Sequence, residues 1–321
     1  MVADRIAAPG VQLLKGVHGL DVVETVGKGA EALRDALLDA AALVVRSETQ
    51  VTPELMAGAP KLRIVARAGI GVDNIDLEEA TRRGIAVLTA PGANSTSAAE
   101  HTFALMLALA RRIPAASASV AAGKWDRKSY EGTELRGKTL AILGLGRIGS
   151  LVAQIGRAFG MTVIALDPYV MAAHASSLGV ELLPLEEVLS RADVITLHIA
   201  LTEDTRQLIN AERLKLVKKT ALLVNTARGA LVDEAALAAA LAEGRLAGAA
   251  LDVFEPEPLP ADSPLRGAPN VILTPHLGAS TKEAQTRVSI EIAEAVRDAL
   301  LSGDLRSAVN LPGLDASQLA S

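Results

Sequence analysis

The chain contains no cysteine. Disulfides, thiolate nucleophiles and cysteine-ligated zinc or iron–sulfur sites are therefore excluded, and a reducing cytoplasm is the expected compartment. Aromatic residues make up only 2% of the sequence, too few for a platform that stacks single-stranded nucleic-acid bases. Positive charge is not in excess: 32 Lys and Arg face 37 Asp and Glu, a net charge of −5 that disfavours a polyanion-binding surface. No apolar run approaches the roughly 18 residues of a membrane span. The longest, FALMLALA (103–110), reads as a buried helix. Asp4 and Arg5 interrupt the opening residues, so no signal peptide is expected. Neither nucleic acid nor membrane is expected as a partner, and no metal site is expected.

What is present is aliphatic mass. Half of the 321 residues are apolar, enough for two compact domains. Strand-like and helix-like segments alternate from end to end, which predicts an α/β protein with mostly parallel sheets. The first block offers DVVETV (21–26), ALVVR (42–46), LRIVARAG (62–69) and IAVLTA (85–90); the opening run VADRIA is short for a strand. After a break at PGANST (91–96), the second block offers TLAILG, TVIALD (162–167), VELL (180–183), DVITLHI (193–199), ALLVNT (221–226), GAALDV (248–253) and VILTP (271–275). Ser280 with Glu283 has the spacing of a capping box for a long helix carrying Val288, Ile292 and Val296 on one face. If that helix returns to the first block, that domain is discontinuous. A last extended run is expected at SAVNL (307–311), and the polar tail LDASQLAS is expected to fray.

Gly144, Gly146 and Gly149 in TLAILGLGRIG satisfy G-x-G-x-x-G between an apolar strand and a helix beginning near Arg147. The first glycine suits a tight turn, the second the approach of a pyrophosphate, the third close helix–strand packing. The helix N-terminus offers free N–H groups to phosphates. Asp167 ends the next strand roughly 18 residues on, where an acid takes ribose hydroxyls and repels a 2′-phosphate, favouring NAD over NADP.

Three polar residues follow later strand-like runs: Arg228 in NTARG, Glu257 in FEPEP and His276 in TPH. Strand ends of a parallel sheet line a ligand crevice. A guanidinium binds a carboxylate bidentately. A histidine exchanges a proton near neutral pH. A carboxylate beside it fixes its orientation. Together these suit reversible oxidation of a hydroxy acid. His18, His101, His174 and His198 lack such settings and read as structural or exposed.

RAGIGVDNID (67–76), GANSTSAAEHT (92–102), GTELRGKTLAILGLGRIG (132–149), NTARGALVDEAAL (225–237), ALDVFEPEP (250–258) and TPHLGAST (274–281) resemble the D-2-hydroxyacid dehydrogenases over nearly the whole chain. HLGASTKEA and GKWDRK lean toward the branch acting on a phosphorylated 2-hydroxy acid. The resemblance implies two doubly wound domains: a Rossmann NAD-binding domain over 94–282 and a discontinuous flavodoxin-like substrate-binding domain from 1–93 and 283–321. It implies Arg228 as substrate anchor, His276 as acid/base and Glu257 as its partner. At the cofactor, NAD, it places Arg147 and Ile148 by the pyrophosphate and Asp167 at the ribose. Thr226, Ala227, Arg228, Asp252, His276, Gly278 and Ala279 surround the nicotinamide end. In RAGIG, Ala68, Gly69 and Ile70 would offer backbone N–H groups to the substrate carboxylate, with Ile70 also beside the cofactor. Arg46, Arg67 and Asn94 would lie near the substrate or its phosphate.

The resemblance further implies a homodimer or homotetramer, formed largely through the cofactor domain. The chain stops soon after VNLPG, so a catalytic portion without regulatory domains is expected. Two other readings stay open: another 2-hydroxy acid such as glycerate or glyoxylate/hydroxypyruvate, and a dinucleotide-sensing corepressor-like binding protein. Glutamate at 257 argues against formate oxidation, since formate dehydrogenases of this fold carry glutamine there.

Overall fold

The computed structural model describes residues 1–311; the polar tail discussed above lies outside them. Two compact units form: Met1–Asn94 together with the described residues from Thr281 onward, and Ser95–Ser280.

In the first unit, β1 (Ala42–Val45), β2 (Ile64–Arg67) and β3 (Ala86–Thr89) make a parallel sheet in that order. Their sequences are near-continuous apolar runs, broken only by Arg67 and Thr89 at the strand ends, because both faces are covered. Ala42, Val44, Ile64, Ala66, Ala86 and Leu88 face a core completed by Val11 and Leu14 and by Val288, Ile292 and Val296 of the helix Lys282–Ser302. Leu43, Val45, Val65 and Val87 face the opposite core with Leu37, Met56 and Ala80. The C-terminal helix therefore completes the core of the first block.

The outer strands are shorter than the sequence suggests. DVVETV is not a strand: it touches the sheet through a parallel bridge from Glu24 to Val2, which also bridges Val44. The reason lies in Asp4, a buried carboxylate that accepts the N–H groups of Arg46 (2.6 Å) and Thr49 (3.1 Å) and the Thr49 hydroxyl, so the first run turns away after Val2. With so short a neighbour, DVVETV has nothing further to pair with. SAVNL likewise contributes one antiparallel bridge, Ala308 to Leu88. Counting Val2 and Glu24 as first and second, the parallel order is 2-1-3-4-5, that of a flavodoxin-like sheet.

The second unit holds seven parallel strands: β4 (Thr139–Leu143), β5 (Thr162–Leu166), β6 (Glu181–Leu182), β7 (Val194–Leu197), β8 (Leu222–Asn225), β9 (Gly248–Leu251) and β10 (Val271–Leu273). Their spatial order is β10-β9-β8-β7-β4-β5-β6. Numbered within the unit, this is the 3-2-1-4-5-6 order of a dinucleotide-binding sheet, extended by one strand. Alternate residues again divide between two cores, Ala141, Leu143, Ile195 and Leu223 on one side and Leu140, Ile142, Val194 and Val224 on the other. FALMLALA lies in the helix Ser95–Ala110, whose Phe103, Leu105, Met106 and Leu109 are buried in the second of these cores.

The cap of the last helix is displaced by one residue. Ser280 closes a turn onto the Leu277 carbonyl, its N–H donating at 2.8 Å. The helix is instead capped by Thr281, whose Oγ1 accepts from Ala284 N–H at 3.1 Å. Among the described residues no single helix is long and apolar enough to cross a membrane. One bent pair, Ser95–Ala110 with Ile113–Ala121, passes on length and composition, and the first member is a core helix. No group of three or more His, Asp or Glu among them could hold a metal ion.

Candidate active site

Where β4 ends, Gly144 turns the chain with φ at 98°, and a Cβ there would lie 2.6 Å from the His198 carbonyl. The helix Arg147–Ala158 then starts, with Gly146 as its N-cap. A Cβ at Gly149 would run into the carbonyl oxygen of Gly144, so close packing of helix on strand requires glycine. Gly146 differs: its backbone is extended, and no protein atom lies within 4 Å of where its Cβ would be. Nothing in the protein demands glycine there. The space is a cradle that a Cβ would fill, beside the free N–H groups of a helix start, and it fits a pyrophosphate. Arg147 is exposed beside it and Ile148 half-buried.

Asp167 follows β5 and is held by backbone donors. Its Oδ2 accepts Leu145 N–H at 2.7 Å, and its Oδ1 accepts Tyr169 and Val170 N–H at 2.9 and 3.1 Å. The carboxylate is thus tied to the fingerprint turn itself. Residues that fit NAD are present, and when bound it would supply the hydride acceptor at its nicotinamide.

The polar residues after β8, β9 and β10 emerge from neighbouring strands at one edge of the sheet. After β8, buried Asn225 organises the turn: its Oδ1 accepts Ala227 N–H at 3.0 Å and its Nδ2 donates to the Arg228 carbonyl at 2.8 Å. Thr226 Oγ1 meets Thr102 Oγ1 at 2.8 Å. Arg228 Nη1 donates to the Ala227 carbonyl at 2.7 Å.

His276 Nδ1 lies 2.8 Å from Glu257 Oε2. The other oxygen of Glu257 accepts Phe254 N–H at 3.1 Å. Burial pushes the Glu257 carboxyl up, but the hydrogen bond and charge of His276, the Phe254 N–H and the charge of Arg228 outweigh it, so it titrates below the ordinary glutamate value. An ionised carboxylate only accepts, so Nδ1 carries a proton and Nε2 is left to face a reactant.

Asp252 is fully buried, with both oxygens occupied by internal donors: Thr274 Oγ1 (2.5 Å) and Leu277 N–H (2.8 Å) on Oδ1, and Gly278 N–H (2.8 Å) on Oδ2. Its visible work is to shape the loop after β10 rather than to present a free carboxylate. Gly278 is buried in that loop and Ala279 half-buried after it.

Apart from Arg228 and His276, the residues expected near substrate belong to the first unit. The Ala68 N–H donates to the Val45 carbonyl and the Gly69 N–H to the Arg67 carbonyl, each at 2.8 Å. In this structure the first bond extends the parallel ladder and the second closes a tight turn. Ile70 follows, half-buried. The Arg67 guanidinium folds over Gly69, occupying the place a Cβ would take. Arg46 donates its backbone N–H to Asp4, and its carbonyl accepts Asn74 Nδ2 at 2.7 Å. Asn94 Oδ1 is buried without a hydrogen-bond partner.

Sequence reading took His101 as structural or exposed and did not single out Thr102. Both precede an apolar run and look like helix surface, yet His101 Nε2 is 3.1 Å from Asp252 Oδ1 and Thr102 grips Thr226. Only their place in GANSTSAAEHT hinted at more.

Residues 103–278, more than half of the chain, match the model of the D-isomer specific 2-hydroxyacid dehydrogenase, NAD binding domain. The chain is 48% identical over 314 residues to D-3-phosphoglycerate dehydrogenase of Synechocystis sp., covering 98% of this chain and 56% of that protein. It is 50% identical over 313 residues to the D-3-phosphoglycerate dehydrogenase of Mycobacterium tuberculosis, covering 98% and 59%. It thus spans less than two thirds of the length of these relatives. The crystal structure of D-lactate dehydrogenase from Aquifex aeolicus, complexed with NAD and lactic acid, superposes with a TM-score of 0.84 at 31% identity, covering 97% of this chain and 99% of that one. Fingerprint, strand order and family match agree, and the chain belongs to the D-isomer specific 2-hydroxyacid dehydrogenase family, with its NAD-binding domain in the second unit.

Proposed function

We propose that this chain is the catalytic portion of an NAD-dependent dehydrogenase that oxidises 3-phospho-D-glycerate to 3-phosphohydroxypyruvate. The observation that carries the chemistry is the His276–Glu257 pair at 2.8 Å on strand ends beside Arg228. The choice of substrate is supported by the names of relatives 48–50% identical over nearly the whole chain.

Arg228 holds the substrate carboxylate and polarises the reacting carbon's oxygen. His276 Nε2 takes the hydroxyl proton as the C2 hydrogen leaves, and returns it in the reverse direction. Glu257 stabilises the imidazolium so formed and keeps the ring turned. Recognition of the phosphate is assigned to Arg46 or Arg67.

A homodimer or larger assembly completes this reading. It is supported by the helix Ile113–Ala121, in which no residue is buried, and by exposed Ile113, Val120 and Trp125 in and just after it. Absence of cysteine is consistent with work in a reducing cytoplasm.

The deciding assay incubates purified protein with NAD and a panel of 2-hydroxy acids and follows absorbance of the reduced nicotinamide. Turnover with the highest kcat/KM on 3-phosphoglycerate is expected. A higher kcat/KM on glycerate or lactate overturns the substrate assignment, and no turnover of any 2-hydroxy acid overturns the enzyme reading.

A further inference from the structure

His101 belongs to the helix Ser95–Ala110, and its Nε2 is 3.1 Å from Oδ1 of Asp252 and 3.5 Å from Oγ1 of Thr274. Burial pushes the Asp252 carboxyl up, but hydrogen bonds from His101, Leu277 and Thr274 and the charge of His101 bring it below the ordinary aspartate value. Asp252 is thus an ionised acceptor, and His101 Nε2 must carry the proton between them. A fully buried carboxylate persists only when its oxygens are matched by donors.

These donors are not equivalent. Thr274, Leu277 and Gly278 all lie in the segment after β10, and the Asp252 carbonyl additionally accepts His276 N–H at 2.8 Å. They bind the loop to the carboxylate, whose backbone N–H is held by the Asn225 carbonyl at 2.9 Å at the end of β8. His101 comes from a separate element, a helix anchored in the core by Phe103, Leu105 and Met106. It ties the side-chain end of the assembly to a rigid body. The segment so tied contains His276, whose φ is 55°. That left-handed conformation is uncommon for a residue with a side chain, and the contacts around His276 help to hold it. The next helix residue, Thr102, grips Thr226 two positions before Arg228. One helical turn therefore touches both segments that carry the proposed catalytic groups.

Resting on the role of His276 given above, we propose that His101 is a positioning residue for it. By donating to Asp252 it sets the left-handed turn at His276, and hence the direction of the imidazole, relative to Arg228. A displacement near 1 Å in a reacting group costs rates up to about a hundredfold.

The test compares His101→Gln, whose amide N–H can reach Asp252, with His101→Asn, one methylene shorter. Both are polar and suit a partly exposed helix position. His101→Gln is expected to keep kcat within about threefold of wild type. His101→Asn should lose about ten- to a hundredfold in kcat, while the Kd for NADH, read by fluorescence, stays within about twofold. Wild-type kcat in His101→Asn, or an equal loss in His101→Gln, overturns the proposal. Wild type and His276→Ala are assayed alongside: if these do not differ, the acid/base reading fails on its own. In that event crystal structures of the two variants decide the positioning claim. Loss of the left-handed φ at 276 or of the His276–Glu257 contact in His101→Asn alone supports it, and their retention in His101→Asn overturns it.

Discussion

Nδ1 of His276 stands 2.8 Å from Oε2 of Glu257 while both side chains keep open faces, 49% and 38% exposed. The pair is held from behind. Phe254 N–H fixes the glutamate, and the glutamate turns the ring so that Nε2 remains free. A proton can therefore arrive at one nitrogen while its charge is balanced at the other.

His276→Ala removes the group placed to receive the hydroxyl proton. kcat should fall about a hundred- to ten-thousandfold, with NADH affinity little changed because the fingerprint is untouched. Glu257→Gln keeps the shape but removes the charge that favours imidazolium. Its loss should be larger in the reductive direction, where the reaction starts from protonated His276. Initial rates in both directions check this; a near-normal kcat for His276→Ala would sink the mechanism.

Asp167→Ala should weaken NAD binding and narrow the preference over NADP. Because the carboxylate also accepts three backbone N–H groups, the same change should lower Tm. Asp167→Asn retains an acceptor and should lower Tm less. Cofactor titrations and thermal melts separate the two effects, and a wild-type protein equally efficient with NADP would refute the assignment.

The fingerprint glycines should respond differently to alanine. Gly149→Ala drives a methyl into the Gly144 carbonyl and should lower both Tm and NAD affinity. Gly146→Ala meets no protein atom and has an extended backbone, so its Tm should match wild type. Its NAD affinity should nevertheless fall at least about tenfold, because the methyl occupies space meant for the pyrophosphate. Unchanged affinity in Gly146→Ala would mean the cradle holds something else.

Burial pushes His198, beside the fingerprint turn, down to about 3. The unfolded chain binds this proton near pH 6.5 and the folded chain does not. Stability contributed by the neutral ring is complete above that range and declines as pH falls toward about 3. The slope from one such group reaches at most about 1.4 kcal/mol per pH unit. Glu257, Asp252 and Asp193 are depressed, so their contributions fade only as pH falls through their lowered values, below the ordinary carboxylate range. Urea unfolding between pH 6.5 and 4.5 should show a shallower decline for His198→Asn than for wild type; parallel curves would remove His198 as the cause.

Strand–helix alternation, the glycine fingerprint with Asp167, and the strand-end positions of Arg228, Glu257 and His276 were legible in the sequence. Each rests on local patterns: near-continuous apolar runs mark parallel strands covered on both faces, and the glycine spacing marks a strand–turn–helix in which Gly149 packs against the Gly144 carbonyl. Sheet order, the short pairing of DVVETV and SAVNL, and the use of Thr281 rather than Ser280 as cap were not legible, because pairing depends on which neighbour is present and how far it extends. Tertiary structure alone paired the Ala68 N–H with the Val45 carbonyl and brought His101 to Asp252. The partners of a buried carboxylate are chosen by packing between elements far apart in the chain, and no local pattern encodes them.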